Sequence, residues 1–241
     1  MNSSSRNNKI FLIHGWTYTT ASWDACIAEL RARGVEPIML NVPGLSEASE
    51  KVWTLEGYAD WLKEKLVAAG VTPENPAIIA GHSNGGRIAI EYIKKHGNAN
   101  LSKLILEDSA GIVHNELPLR IKRAVFSTVA KIGKTIVGRE GVVRKVFYRV
   151  IGGGDYGRAP ENMRETMAGL VSIDLQDALP SIKVPTLIIW GGKDTATPVS
   201  DARIMKQKIA GSELAIIEEA GHSPHLSHPV EVADLIAGFI F

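Results

Sequence analysis

The chain of 241 residues is long enough for one sizeable α/β core plus an insertion and too short for two full enzyme domains. Its composition, 45% hydrophobic and 22% charged, is ordinary for a soluble globular protein, and a formal net charge of +1 gives no global reason to expect nucleic acid or an anionic membrane as partner. The single cysteine, Cys26, rules out an internal disulfide, the polar start Met1 to Lys9 lacks the apolar core of a secretion signal, and no apolar run reaches the roughly 18 residues of a membrane helix, so the chain reads as cytoplasmic and not membrane-inserted.

Lys9 to His14 is a short apolar run closed by His14-Gly15, which suits a buried strand with a turn at its carboxyl end. Ser22 is expected to cap an amphipathic helix carrying Trp23, Ile27 and Leu30 and stopped by Gly34. Glu36 to Val42 reads as the next strand, ended by Pro43-Gly44. Thr54-x-x-Gly57 does not match a capping box, but Leu55, Tyr58, Leu62 and Leu66 form a helical stripe up to Gly70. Strands are then expected at Ala77 to Ala80, Leu101 to Glu107, Pro185 to Trp190 and Glu213 to Glu218, with helices at Gly86 to Lys95, Val199 to Ile209 and Val230 to Phe239. This alternation predicts a mainly parallel twisted sheet of about six strands with helices on both faces.

The stretch from Ile112 to Leu179 breaks the rhythm. Ile121, Val125, Val129, Ile132 and Ile136 share a helix face, Val142, Val146 and Val150 another, and Met163, Met167 and Leu170 a third. The expected organisation is a core of 1–111 and 180–241 with a helical cap at 112–179, in which Gly138 and Gly152 to Gly154 are either hinges or ordinary loop glycines. The triple glycine follows an expected helix and not a strand and lacks a following Lys-Ser/Thr, which argues against a phosphate-binding loop.

Chemistry concentrates at Gly81-His82-Ser83-Asn84-Gly85, a Gly-x-Ser-x-Gly between an apolar strand and an amphipathic helix. The glycines fit a turn too tight for side chains, which pushes the Ser83 hydroxyl out at a helix N-terminus, where negative charge is favoured. A serine hydroxyl needs a base, and the base an acid to orient it. Asp194, in Gly191-Gly192-Lys193-Asp194, and His222, in Ala220-Gly221-His222, follow the last two expected strands and so share the sheet edge with Ser83.

With these motifs the chain resembles the α/β-hydrolase superfamily, in the serine-nucleophile group with a helical lid. The likeness runs from Phe11-Leu12-Ile13-His14-Gly15-Trp16 through Asn41-Val42-Pro43-Gly44 and the elbow to Ile189-Trp190-Gly191-Gly192-Lys193-Asp194 and Gly221-His222. It implies Ser83 as nucleophile, His222 as general base and then acid, Asp194 as the orienting acid, and the backbone N–H groups of Trp16 and Asn84 as oxyanion hole. It implies no cofactor and no metal, and a small-molecule ester as substrate. A carbon–carbon bond hydrolase or lyase acting on a carboxylate-bearing ketone or dienol, and a slow-turnover ligand receptor, are the alternatives. The likeness fails at the start, where eight polar residues stand in place of the family's usual antiparallel strand pair, which leaves a sheet edge open to a homo-oligomer.

Asp108 also ends a strand at this edge and competes with Asp194 for the acid role, or caps a loop. His14, Gly15 and Arg87 are the candidate substrate contacts. Arg87 lies one helical turn after Ser83, and nine Lys or Arg against two Glu between Glu116 and Ile151 make the cap basic, so both suit either an anionic substrate or a solvated surface. His222, His225 and His228, with Pro224 and Pro229 between and after them, are expected in a loop and not as a metal cluster.

Overall fold

The computed structural model describes residues 8–113 and 159–241. Within them β1 (Lys9–Ile13), β2 (Glu36–Leu40), β3 (Ala77–His82), β4 (Leu101–Glu107), β5 (Thr186–Gly191) and β6 (Glu213–Ile217) form one parallel sheet in the spatial order β2-β1-β3-β4-β5-β6. The helices are α1 (Asp24–Ala32), α2 (Leu55–Ala68), α3 (Asn84–His96), α4 (Glu161–Leu170), α5 (Val199–Lys208), α6 (Pro224–Ser227) and α7 (Pro229–Ile240). This is the α/β-hydrolase fold. Among the described residues no helix is long and apolar enough to cross a membrane.

Successive strand side chains point to opposite faces, and both faces are covered, so the central strands are apolar throughout instead of alternating with polar residues. Ile10, Leu12, Ile78, Ile105 and Ile189 pack with Cys26 and Leu30 of α1 and Val232 and Ile236 of α7. Phe11, Ile13, Ile79, Leu104 and Ile188 pack on the other side with α2, α3 and α5. Handedness explains the division. The chain steps one way from β1 to β2 and the other way from β3 onward, so right-handed crossovers place α1 on one face and α2, α3 and α5 on the other. The reversal falls between β1 and β3, and in such sheets the crevice at the carboxyl ends of the strands flanking it is where ligands bind.

Several element ends differ from the sequence expectation, each for a local reason. β2 stops at Leu40, not Val42, because the Val42 N–H turns away to donate to Ser46 Oγ at 2.9 Å. β3 runs on to His82, since Gly81 and His82 still pair with Leu106 and Glu107. Ser22 makes no capping bond. The helix is entered through a 3-10 turn at Ala21–Trp23, and the Ala21 N–H donates to Thr19 Oγ1 instead. Thr54 does cap α2, its Oγ1 accepting from Gly57 N at 3.0 Å, without the glutamate that would complete a box. Residues 224–227, expected in a loop, form the short helix α6, since Pro224 presets the first helical φ. Cys26 is the small core residue expected, and burial pushes its thiol up to about 12.

The helical faces expected at 121–136 and 142–150, the basic stretch 116–151, Gly138 and Gly152 to Gly154 lie outside the described residues. The third expected helix is α4, and it is fastened to the core. Met163, fully buried, fills the space over Gly44, where any Cβ would collide with the methionine sulfur, and Leu170 joins the core of α2 and α3. Asn162 Nδ2 donates to the carbonyls of Ser49 and Lys51, both at 3.0 Å, and Thr166 Oγ1 accepts from Trp53 N at 2.9 Å. Because Thr166 is buried, valine there leaves the Trp53 N–H without its acceptor. Thr166→Val is expected to lower stability in urea unfolding by roughly 1–2 kcal/mol. No measurable change would show that the bond does not fasten α4.

Candidate active site

The tightness of the turn after β3 dictates the local sequence. A Cβ on Gly81 would sit 2.6 Å from the Gly85 backbone, and one on Gly85 would sit 2.0 Å from the Ile13 carbonyl oxygen. Ser83 between them is held at φ 51°, a left-handed conformation costly for a residue with a side chain. Three backbone bonds hold it there: its N–H donates to the Glu107 carbonyl at 3.0 Å, and its own carbonyl accepts from Ala110 N at 3.0 Å and Arg87 N at 3.3 Å. Gly15 in the loop after β1 is pressed against the same turn, since a Cβ there would meet Ser83 Cβ at 3.1 Å. This brings the Gly15-Trp16 peptide beside Ser83, and Asn84 opens α3, whose first-turn N–H groups have no acceptor within the helix.

Ser83, His222 and Asp194 come together from three strand ends. His222 Nε2 lies 3.0 Å from Ser83 Oγ, and His222 Nδ1 lies 2.8 Å from Asp194 Oδ2. Asp194 Oδ1 also accepts from Ala196 N at 2.7 Å and Thr197 N at 3.1 Å, and Oδ2 from the Thr197 hydroxyl at 2.6 Å. Burial alone would raise this carboxyl, but the bond and charge of His222, with Thr197 and Ala196, outweigh burial and hold it at about 2. With the Asp194 carboxylate as acceptor, Nδ1 is the donor, which leaves Nε2 free to accept the serine proton.

Thr197 has no place in the sequence expectation. Its signal is the run Asp194-Thr195-Ala196-Thr197-Pro198, in which an Asp accepts from the N–H groups two and three residues on. Asp108 is not the partner of His222. Its Oδ1 accepts from Gly191 N at 2.9 Å, and it too has a positive φ, 41°. Burial first, then the charge of Glu107, then Asp194, push its carboxyl up to about 10 against the lowering effect of the Gly191 N–H.

The other histidines hold structure around the site. His82 donates from Nε2 to the His222 carbonyl at 2.7 Å, which fixes its tautomer, and burial, followed by the charge of His225, lowers it to about 3. His225 donates from both its backbone N and its Nδ1 to Glu107 Oε1, at 2.7 and 3.0 Å, and stacks on Trp23 at 4.0 Å. His228 meets Ser227 Oγ at 2.8 Å, so His222, His225 and His228 turn to three different partners. His14 donates from Nδ1 to the Gly15 carbonyl at 2.8 Å and accepts at Nε2 from Ser46 Oγ at 2.6 Å, bracing the loop beside Ser83. Arg87 is buried and donates to the carbonyl of Leu170, the C-terminal residue of α4, where a cation complements the helix dipole. Among the described residues, the group of three acidic or histidine side chains close enough to share an ion is Asp108, Asp194 and His222. Its His222 Nδ1 and Asp194 are already bonded to each other.

Comparison with known proteins identifies the family. The sequence pattern of the alpha/beta hydrolase family matches residues 10–235. The AB hydrolase superfamily protein YisY of Bacillus subtilis is 30% identical, over 95% of this chain and 90% of its own. A pimeloyl-[acyl-carrier protein] methyl ester esterase of Neisseria meningitidis is 26% identical, over 96% and 76%. Among solved structures, the esterase EaEST of Exiguobacterium antarcticum superposes with a TM-score of 0.76 at 24% identity, covering 96% of this chain and 91% of that one.

Two outcomes are expected. Gly85→Ala has no room against Ile13 and must spread the elbow from β1. At roughly 1–3 kcal/mol for overpacking, it lowers Tm by several degrees in a thermal melt. Asp194, depressed from 3.8 to about 2, contributes stability that is complete above about pH 4 and is lost as pH falls through 2. Urea midpoints measured across that range decline for the wild type, and Asp194→Asn removes that part of the decline; parallel curves would mean that Asp194 titrates normally.

Proposed function

This chain belongs to the alpha/beta hydrolase family, and we propose that it acts there as a carboxylic ester hydrolase on small esters through Ser83, His222 and Asp194. The observation that carries the reading is the unbroken line of contacts Ser83 Oγ to His222 Nε2, 3.0 Å, and His222 Nδ1 to Asp194 Oδ2, 2.8 Å, at the crevice between β1 and β3.

In this mechanism Ser83 Oγ attacks the ester carbonyl as its proton passes to His222 Nε2. The tetrahedral oxyanion is met by the N–H groups of Trp16 and Asn84, one from the loop after β1 and one from the start of α3. His222 then gives its proton to the leaving alkoxide, which leaves an acyl-Ser83. Water, deprotonated by the same nitrogen, releases the acid and restores the serine. Asp194 stays ionised throughout and offsets the charge of the imidazolium. No step calls on a cofactor. Arg87, tied to Leu170, serves the junction of α3 and α4, which turns the candidate substrate contacts toward His14 and Gly15. The relatives named as methyl ester esterases favour ester over carbon–carbon bond cleavage and make esters of short alcohols the first to assay.

A fluorophosphonate reports an activated serine without requiring the natural substrate. Intact mass is expected to show a single adduct on the wild type and none on Ser83→Ala, with p-nitrophenyl ester turnover falling roughly 10⁵–10⁶-fold in that variant. An adduct that persists in Ser83→Ala, or a folded wild type that takes none, would sink the reading.

A further inference from the structure

Two carboxyl groups stand behind His222 where the mechanism uses one. Asp194 comes from the loop after β5 and is surrounded by donors. Asp108 comes from the end of β4 and is fully buried. Its Oδ1 has the Gly191 N–H, while its Oδ2 is enclosed with no hydrogen-bond partner. One ligand atom from each of Asp108, Asp194 and His222 lies within 4.8 Å of the other two. An ionised carboxylate with a bare, buried oxygen beside another carboxylate faces both desolvation and repulsion, and both are relieved by one proton.

We infer that Asp108 is a positioning residue held as the neutral carboxylic acid, with its Oδ2 hydroxyl turned to the Asp194 carboxylate, so that a single negative charge stands behind His222. The groups facing it are Glu107 at the end of β4, the Gly191 N–H at the end of β5, Asp194 from the loop after β5, and His222 from the loop after β6. Glu107 is itself occupied by His225 and adds to the negative field at Asp108. Room for the new bond exists at Asp194. Its four lone-pair positions are filled by four donors, but the Thr197 hydroxyl has a second acceptor in the Asp108 carbonyl at 3.2 Å. A second carboxylate in place of the acid would double the negative charge behind His222 and repel the Asp194 carboxylate that orients it.

This inference rests on the triad reading above, and its test separates the two. The first arm reads stability. A carboxyl whose folded pKa is raised from 3.8 to about 10 contributes stability that is complete below about pH 4 and is lost as pH climbs toward 10, because the unfolded chain has released a proton that the folded one retains. Asn in place of Asp108 is neutral, keeps an oxygen for Gly191 N and presents an N–H where the acid presents its hydroxyl. Thermal melts of wild type and Asp108→Asn should therefore diverge as pH rises from about 4, with the variant the more stable at neutral pH. The second arm reads kinetics: the acid limb of kcat/KM against pH should keep its position in Asp108→Asn. A limb displaced downward by about one pH unit or more, as loss of a negative charge near His222 requires, or melting curves that stay parallel, would overturn the inference and leave the triad intact. Asp194→Asn completes the comparison and is expected to lose kcat by roughly 10⁴-fold. Full activity in that variant with loss in Asp108→Asn would overturn the triad assignment itself. Should Asp108→Asn not fold, the infrared spectrum of the wild type decides: a carbonyl band of a protonated carboxylic acid at neutral pH supports the inference, and its absence overturns it.

Discussion

The constraint on which the rest of the site depends is the approach of the turn after β3 to the end of β1. The Cβ position of Gly85 lies 2.0 Å from the Ile13 carbonyl oxygen, and that of Gly15 lies 3.1 Å from Ser83 Cβ. Only a backbone without side chains at these places lets the two strand ends close on each other, and the closure is what presses Ser83 into its left-handed conformation. A strained residue persists when its surroundings over-determine it, and here they do. Ser83 is bonded on both sides by backbone groups from the end of β4 and the first turn of α3. The Ser83 hydroxyl is therefore aimed by the sheet and not by a flexible loop, at the point where the topology reverses and leaves a crevice.

His222 sits on a loop, and a loop needs other means of restraint. Those means are buried polar groups arranged beneath it. His82, next to Ser83, donates to the His222 carbonyl, while Glu107, the last residue of β4, collects two donors from His225 three residues after His222. Stacking of His225 on Trp23 ties α6, which follows this loop, to the entrance of α1. Each polar atom in this web would be expensive to bury alone, and the bonds among them remove most of that cost while leaving His222 few alternative positions. Preorganisation of this kind matters because a hydrogen-bond chain displaced by an ångström loses much of its value in the transition state.

Much of this was legible in the sequence because the features concerned are steric or periodic. The six strands, the elbow, and the order of Ser83, Asp194 and His222 after β3, β5 and β6 follow from runs of apolar residues and from glycines with a turn to make. What escaped was tertiary in origin. Val42 is as apolar as its neighbours, yet leaves the strand because Ser46 offers its N–H an acceptor. Arg87 has the right spacing to face a substrate, but the carbonyl end of α4 lies within its reach, and no periodicity in the sequence reveals that contact. Thr197 is the exception and could have been noticed, since its bond to the Asp194 carboxylate spans three residues of one turn and Asp followed by Thr three residues on is a recognisable pattern.

Asp108 shows how the two kinds of information combine. Position along the chain makes it a rival of Asp194, because both end strands at one sheet edge. Surroundings separate them. Asp194 has donors on both oxygens, including the one histidine that needs an anion; Asp108 has one donor, a bare oxygen and a glutamate as its neighbour in sequence. The same carboxylic acid is held at about 2 in the first setting and about 10 in the second. A pair of like groups pushed apart in this way is how one fold keeps one member charged and the other neutral at a single pH. The proposed assignment of the acid therefore rests on the count of donors around each group. That count is set by β5 and the loop after it: the loop delivers the Ala196 and Thr197 N–H groups to Asp194, and the end of the strand delivers only the Gly191 N–H to Asp108.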